Sequence, residues 1–579
     1  MFYRRDAALW GLRYGGRARP RACRGTGGGL RPPDAVRRWG RRDVLAVTPR
    51  RPGGRKASAV LPIRRAATRA SILLHALRSV LPTGPLRARP PMPVRPASRG
   101  IAMKHLHPAN HDTPLHWQTL SQLRAALDAG LLHSAELVDA LLRRIDRADA
   151  HLHAFVEVYA DEARALARAA DKARTARMPL GPLHGLPIVL KDLLDIEGRV
   201  GTLGSKHCAT RVAAQTSATV ERLLAAGMIP LGKVHMTEFA FGGWGTNPLM
   251  GTPRNPWDRA QHRVPGGSSS GTGVAVAAGL APAGIGSDTG GSVRIPSAFN
   301  GLTGLKVTHG RISLHATGLL SWTLDTIGPM ARCVHDCALL LDALAGPDPR
   351  DPTTLAQPLE RFTAEPRAVQ GLRIALPDAA ELPPFMHPGV TAAWQAAARV
   401  FESLGAHVVP VRLPAGFFDS AVPAGRIMSS EAFSLHRDYV DDPSAPLGEA
   451  VRARIQAARH CGPGDYAQEL RTMAQRRRAC AQWFASFDAL LLPTVAIPAL
   501  ALEHVDEASP IPGYLTRPVN YLGLCALAQP AGLVDGLPVG IQLVGKPFDE
   551  ATVLALGAAF EAATPFHTMH APYATQVSA

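Results

Sequence analysis

Two glycine- and hydroxyl-rich runs stand close together in the chain: Pro265-Gly266-Gly267-Ser268-Ser269-Ser270-Gly271-Thr272-Gly273 and Gly286-Ser287-Asp288-Thr289-Gly290-Gly291-Ser292-Val293-Arg294-Ile295-Pro296. Either one alone reads as an ordinary loop. Joined by a small-residue helix over 274–280 and a short apolar strand over 283–286, the pair reads as a site. Gly290-Gly291 permits close backbone approach, and Ser292 falls near the start of a helix, where free N–H groups face an incoming negative charge. That combination suits a serine nucleophile with an oxyanion hole. A hydroxyl nucleophile needs a base, and His262 and His309 flank the clusters without a supporting Asp motif. Lys191 offers another. It follows the apolar run Pro187-Ile188-Val189-Leu190, at the end of a buried strand. Acting near neutral pH requires its ammonium to fall from ~10.4 to about 7 to 8, roughly 4 kcal/mol, which burial can supply.

These residues must be positioned by an alternation of helices and strands, which predicts an α/β fold: one domain with a mixed central sheet surrounded by helices. Ser134 is expected to N-cap a helix over 135–147, with Leu137, Leu141, Leu142 and Ile145 on one stripe. Further helices are expected over 161–177, 390–404 and 550–562. Buried strands are expected over 187–190, 228–231, 283–286, 372–376, 407–411, 489–492 and 539–544, each bounded by Gly, Pro or a charge. The Pro-rich stretches 352–370 and 414–463 are expected to form loops and helices over the sheet that shape a substrate pocket.

The motifs Gly185-Leu186-Pro187-Ile188-Val189-Leu190-Lys191-Asp192, Gly266-Gly267-Ser268-Ser269-Ser270-Gly271 and Asp288-Thr289-Gly290-Gly291-Ser292-Val293-Arg294-Ile295-Pro296 resemble the amidase signature family. The likeness runs from about residue 134 to 562. It takes in Phe299-Asn300-Gly301-Leu302-Thr303-Gly304-Leu305-Lys306 and Gly536-Leu537-Pro538-Val539-Gly540-Ile541-Gln542-Leu543. The resemblance implies a single amidase-signature domain that hydrolyses a small-molecule carboxamide without metal or cofactor. It implies Ser292 as nucleophile, Ser268 as proton relay after a cis peptide bond, and Lys191 as base. Backbone N–H groups of Thr289, Gly290, Gly291 and Ser292 would form the oxyanion hole, with Asp288 and Arg294 a structural ion pair holding their loop. The alternative is the glutaminase (A) subunit of a tRNA-dependent amidotransferase, which hands ammonia to a partner subunit. That subunit often has Gln where this chain has Ile295. Ser270, where many relatives have Gly, and Asn300, where many have Cys, are departures outside the triad.

Charge bounds the rest. The chain has 579 residues and a formal charge of +18, but the first 102 residues hold 23 Arg and one Lys against three Asp. The body therefore carries 40 basic and 43 acidic side chains, which removes the argument for a nucleic-acid partner of the folded part. The Arg/Pro/Gly-rich segment 1–102 is expected to be disordered. It reads as an over-extended gene start ahead of Met103, with a targeting leader or a nucleic-acid-binding arm as the other readings, and 103–579 as the amidase domain. Seven scattered Cys fit a reducing, cytoplasmic setting, and Cys333 and Cys337 are read as core. No apolar run reaches the ~18 residues of a membrane span. His105, His107 and His111 have metal-like spacing but sit at the ragged start of the body, and no metal site is expected. A homodimer is left open.

Overall fold

All seven apolar runs expected as strands enter one sheet, and four strands that the sequence does not announce join them. The computed structural model describes residues 113–357, 360–362 and 368–573. All of these fall within one compact unit. The expected tail over 1–102 and His105, His107 and His111 lie outside the described residues.

In chain order the strands are β1 (Phe155–Val158), β2 (Pro187–Lys191), β3 (Ile229–Val234), β4 (Ala283–Ser287), β5 (Thr303–Lys306) and β6 (Ile327–Ala331). They continue as β7 (Arg373–Pro377), β8 (His407–Val411), β9 (Ala489–Pro493), β10 (Cys525–Val534) and β11 (Leu537–Gly545). Their spatial order is β1-β3-β2-β4-β6-β5-β10-β11-β9-β7-β8. The blocks β3-β2-β4 and β9-β7-β8 pair in parallel, and the strands between them pair antiparallel, so the sheet is mixed as expected. Every residue of β2, β3, β4, β6, β9 and β11 is buried, which requires cover on both faces of the sheet. Thirteen α-helices among the described residues accompany it.

The longest of the four unannounced strands shows why pattern alone misses it. β10 reads Cys-Ala-Leu-Ala-Gln-Pro-Ala-Gly-Leu-Val, poor in β-branched residues and without alternation. Its pairing with β11 is set by the turn Asp535-Gly536, both with positive φ, the signature of a two-residue hairpin.

One local expectation is corrected. The helix Ser134–Leu152 begins at Ser134, so that residue lies inside the first turn and does not cap it. The Asp171 carboxylate accepts the Ser134 and Ala135 N–H groups at 2.8 and 3.0 Å, so the cap comes from 37 residues away. The apolar stripe Leu137, Leu141, Leu142 and Ile145 is buried. Cys333 and Cys337 are buried free thiols at the start of the helix Val334–Leu344. Among the described residues no helix is long and apolar enough to cross a membrane.

Candidate active site

The site begins with strand register. β2 and β4 are parallel neighbours with Val189 opposite Gly284 and Leu190 opposite Ile285, so their last residues, Lys191 and Ser287, emerge side by side. The helix Ser270–Ala277 packs against these strands so closely that a Cβ on Gly284 would stand 2.7 Å from Thr272 Cγ2 and Val189 Cγ2. All eight of its residues are buried. The segment that leads into it holds Ser268 and Ser269 over the strand ends, and the Gly267–Ser268 peptide bond is cis.

Lys191 is therefore ringed by hydroxyls: Nζ lies 2.8 Å from Ser268 Oγ, 3.1 Å from Ser269 Oγ and 2.8 Å from Ser287 Oγ. Its side chain is fully buried. Burial lowers the amine to about 7, against the Asp325 and Asp288 carboxylates, which favour the charged form. A neutral amine has two N–H donors and one lone pair, so three hydroxyls match its valence: two accept and one donates its proton to nitrogen. Of the three, Ser269 and Ser287 stand in the motifs but were given no role from sequence.

Ser292 lies in the loop after β4, two residues before the helix Arg294–Asn300 and so near its start. It is 7% exposed and lines a cavity of about 460 Å³. The Ser269 N–H donates to its carbonyl at 3.3 Å, which ties the two serine clusters together.

Asp288 organises that loop. Its carboxylate accepts the N–H groups of Gly291 (2.7 Å) and Val293 (3.1 Å) and pairs with the Arg294 guanidinium at 3.1 Å, both side chains fully buried. Burial alone would raise this carboxyl. The Arg294 charge and its hydrogen bonds outweigh burial and hold it well below the usual range. Arg294 also donates to Gln542 (2.8 Å) and Asn520 (2.6 Å), and Asn520 donates back to Asp288 (2.8 Å). The expected oxyanion donor set shrinks accordingly. The Gly291 N–H is engaged by Asp288, so among Thr289, Gly290, Gly291 and Ser292 it is an internal tie of the loop and only the other three are candidate donors.

Gln542 stands in the 536–543 motif but was given no role from sequence, and Asp325 and Asn520 have nothing local to mark a site. Asp325 accepts from Thr289 Oγ1 at 2.5 Å and from the Leu320 and Ser321 N–H groups, and burial raises it to about 6. Asn300 Nδ2 donates to the carbonyls of Pro265 (2.7 Å) and Pro296 (2.8 Å), fastening the first serine segment to the helix after the second. The two histidines are elsewhere: His262 faces the Pro253 carbonyl and His309 that of Trp322. The expected pocket-forming stretch 414–463 supplies the helices Ala421–His436 and Glu449–Gln456, and Val422, Met428, Ser429 and Arg454 from them line the cavity.

The family model described as Amidase matches residues 136–554. Among curated proteins, the (A) subunit of the glutamyl-tRNA(Gln) amidotransferase of Chloroflexus aggregans is 38% identical over 488 residues, covering 79% of this chain and 98% of that protein. Its namesake from Chromohalobacter salexigens is 38% identical over 483 residues, covering 78% and 98%. Among solved structures, the peptide amidase of Stenotrophomonas maltophilia is 31% identical with a TM-score of 0.69, covering 78% of this chain and 98% of that one. The (A) subunit of the glutamyl-tRNA(Gln) amidotransferase of Thermotoga maritima is 29% identical with a TM-score of 0.67, covering 81% and 99%.

Proposed function

The chain belongs to the amidase family, enzymes acting on amide C–N bonds, and on that premise we propose that it cleaves a carboxamide through an acyl-enzyme on Ser292. The observation that carries the reading is the buried Lys191 amine, lowered to about 7 and 2.8 Å from Ser268 Oγ. Ser292 Oγ attacks the carbonyl carbon as its proton passes to Ser268, whose own proton passes to the Lys191 lone pair. Free backbone N–H groups of Thr289, Gly290 and Ser292 stabilise the oxyanion. The protonated lysine returns its proton through Ser268 to the departing nitrogen, ammonia or an amine leaves, and water then releases the acid by the same relay.

Two versions of this chemistry differ in where the nitrogen goes. In a free-standing amidase it leaves to solvent. In a glutaminase, the ammonia of glutamine passes to a partner subunit, and the shared name of the curated relatives supports this second version more directly. Ile295, an apolar side chain in the cavity wall where such subunits often carry Gln, supports the first, and we adopt it.

Ammonia release by the isolated chain from a panel of aliphatic, aryl and peptide amides and L-glutamine separates them. Turnover of several amides by the chain alone is the expected result, and turnover confined to glutamine would favour the glutaminase. Ser292→Ala should reduce turnover by several orders of magnitude with an unchanged thermal midpoint.

A further inference from the structure

The wall of the cavity in front of Ser292 is electrically unbalanced. Its charged lining consists of Arg426, Arg454, Arg517 and Glu507. Arg454 pairs with Glu507 at 2.8 Å, and Arg426 pairs with Glu469 at 2.6 Å. Arg517 pairs with neither. Its Nε is buried without a hydrogen-bond partner, and among the described residues its guanidinium enters no ion pair.

Its position follows from the loop that holds the nucleophile. Thr516 Oγ1 donates to the Gly290 carbonyl at 2.7 Å, which fixes the start of the helix Arg517–Tyr521 against the Ser292 loop. A Cβ built on Gly290 would stand 3.6 Å from Arg517 Cγ and 3.7 Å from Nε, and one built on Gly513 would stand 3.0 Å from Nη2. The guanidinium thus rests between two glycines, one of them two residues along the chain from Ser292, with no side chain screening it there. Burial and the neighbouring Arg454 both disfavour its charge, and no carboxylate opposes them. A charge taken from water without a partner is destabilising. A planar guanidinium can recover that loss by bidentate pairing with a carboxylate brought in by a ligand.

We propose that Arg517 anchors a carboxylate carried by the amide substrate, while the scissile carbonyl stands at Ser292. The proposal rests on the amide-cleaving reading of Ser292 and narrows it to amides that carry an acid group: monoamides of dicarboxylic acids, or amino acids with a side-chain amide. Phe241, Trp244, Ile295 and Met428 line the same cavity and suit the carbon chain between the two groups.

The test uses the full chain and paired probes that differ only in the acid group, succinamate against butyramide and glutaramate against valeramide, with ammonia release as readout. The wild type should favour the acid member of each pair by roughly 10- to 100-fold in kcat/KM, the range expected of a charge-assisted pair. Arg517→Met should collapse that ratio toward one, mainly through KM, and Arg517→Lys should restore part of it. The thermal midpoint of Arg517→Met should stay level or rise, because an unpaired charge is removed. A wild type indifferent to the acid group overturns the proposal, as does an unchanged ratio in Arg517→Met. So does an equal loss on both members with a fallen midpoint, the mark of a structural arginine. Binding of succinate and glutarate to Ser292→Ala protein, by calorimetry, reads the anchor without turnover, and Arg517→Met added to it should weaken binding at least tenfold. Ammonia release without acid preference leaves the amidase reading standing and removes the anchor. Arg517-dependent binding of the diacids with no turnover of any amide does the reverse.

Discussion

Lys191 Nζ and Ser287 Oγ lie 2.8 Å apart at the ends of two parallel strands, as close as Lys191 stands to Ser268. In the proposed mechanism the Ser268 contact is the proton path and the Ser287 contact holds the amine in place. With Ser287 and Ser269 accepting its two N–H groups, a neutral Lys191 has its lone pair left for the Ser268 proton, so strand pairing fixes the direction in which the base acts.

Lys191 should set the acidic limb of the rate profile. Its amine sits at about 7. Turnover requires the neutral form, so kcat/KM should rise with pH through about 7 and level off above it. Lys191→Arg keeps a positive charge that cannot be given up in this range, and should lose roughly 10²- to 10⁴-fold in kcat. Near-normal turnover by that variant would remove the base from Lys191 whatever the fate of Ser292.

Ser287→Ala tests the positioning contact through the same profile. The Ser287 oxygen accepts from Lys191, and an ammonium donates more strongly than an amine, so the contact favours the charged lysine. Removing it should move the acidic limb to lower pH by roughly half to one unit. A limb that stays in place would show that Ser287 does not bear on the base, and one that moves upward that its contact favours the neutral amine.

How much of this was legible varies with the distance over which each residue acts. Lys191 was readable because a short apolar run ending in a charge is a local pattern, and Ser268 and Ser292 because their glycine-rich surroundings are local too. Asn520 carries no such mark, and Gln542 is marked only as part of a strand motif. They reach Arg294 across separations of 226 and 248 residues only because β10 and β11 enter the sheet beside β5 and β9. β10 escapes reading for a related reason: a strand covered on both faces needs no alternation, and its Gln529, Pro530 and Gly532 are poor strand formers. Ser134 shows the opposite error. A favourable local cap residue was overruled by Asp171, which tertiary packing brings to the same N–H groups. Arg517 was invisible as a site residue because its significance is the lack of a partner.

The Asp288–Arg294 pair should dominate the stability of the nucleophile loop. Asp288→Asn leaves the Arg294 guanidinium buried without a countercharge, and breaking such a pair costs about 3 to 5 kcal/mol. The sign of the pH dependence follows. The Asp288 carboxyl is depressed in the fold, so its contribution is fully present above its unfolded value of ~3.9, begins to shrink below it, and is lost only as pH falls through the depressed value. Urea titrations at pH 7 and at pH 3.5 should show a gap between wild type and Asp288→Asn that narrows in acid. A gap of equal size at both pH values would mean that the side chain acts through shape and not charge.

Gly291→Ala should separate loop geometry from loop chemistry. Gly291 has φ 129°, a conformation that side-chain-bearing residues rarely adopt. A Cβ there would collide with Thr516 Oγ1 and stand 2.7 Å from Ile295 Cδ1. Thr516 cannot yield freely, because its hydroxyl holds the Gly290 carbonyl at 2.7 Å, and Asp288 holds the Gly291 N–H from the other side at 2.7 Å. The loop must therefore shift as a piece, carrying the Gly290 and Ser292 N–H groups out of line with the oxyanion. Strain of about 1 to 3 kcal/mol is expected in stability. The loss in kcat should be larger, roughly 10²-fold or more, as when an oxyanion donor is removed. Binding of a substrate acid to the variant should weaken too, because Thr516 adjoins Arg517, but by less than kcat, since the cavity wall from the helices Ala421–His436 and Glu449–Gln456 is untouched. Equal losses in kcat and in acid binding would instead place the damage in the cavity as a whole and argue against an oxyanion role for this loop.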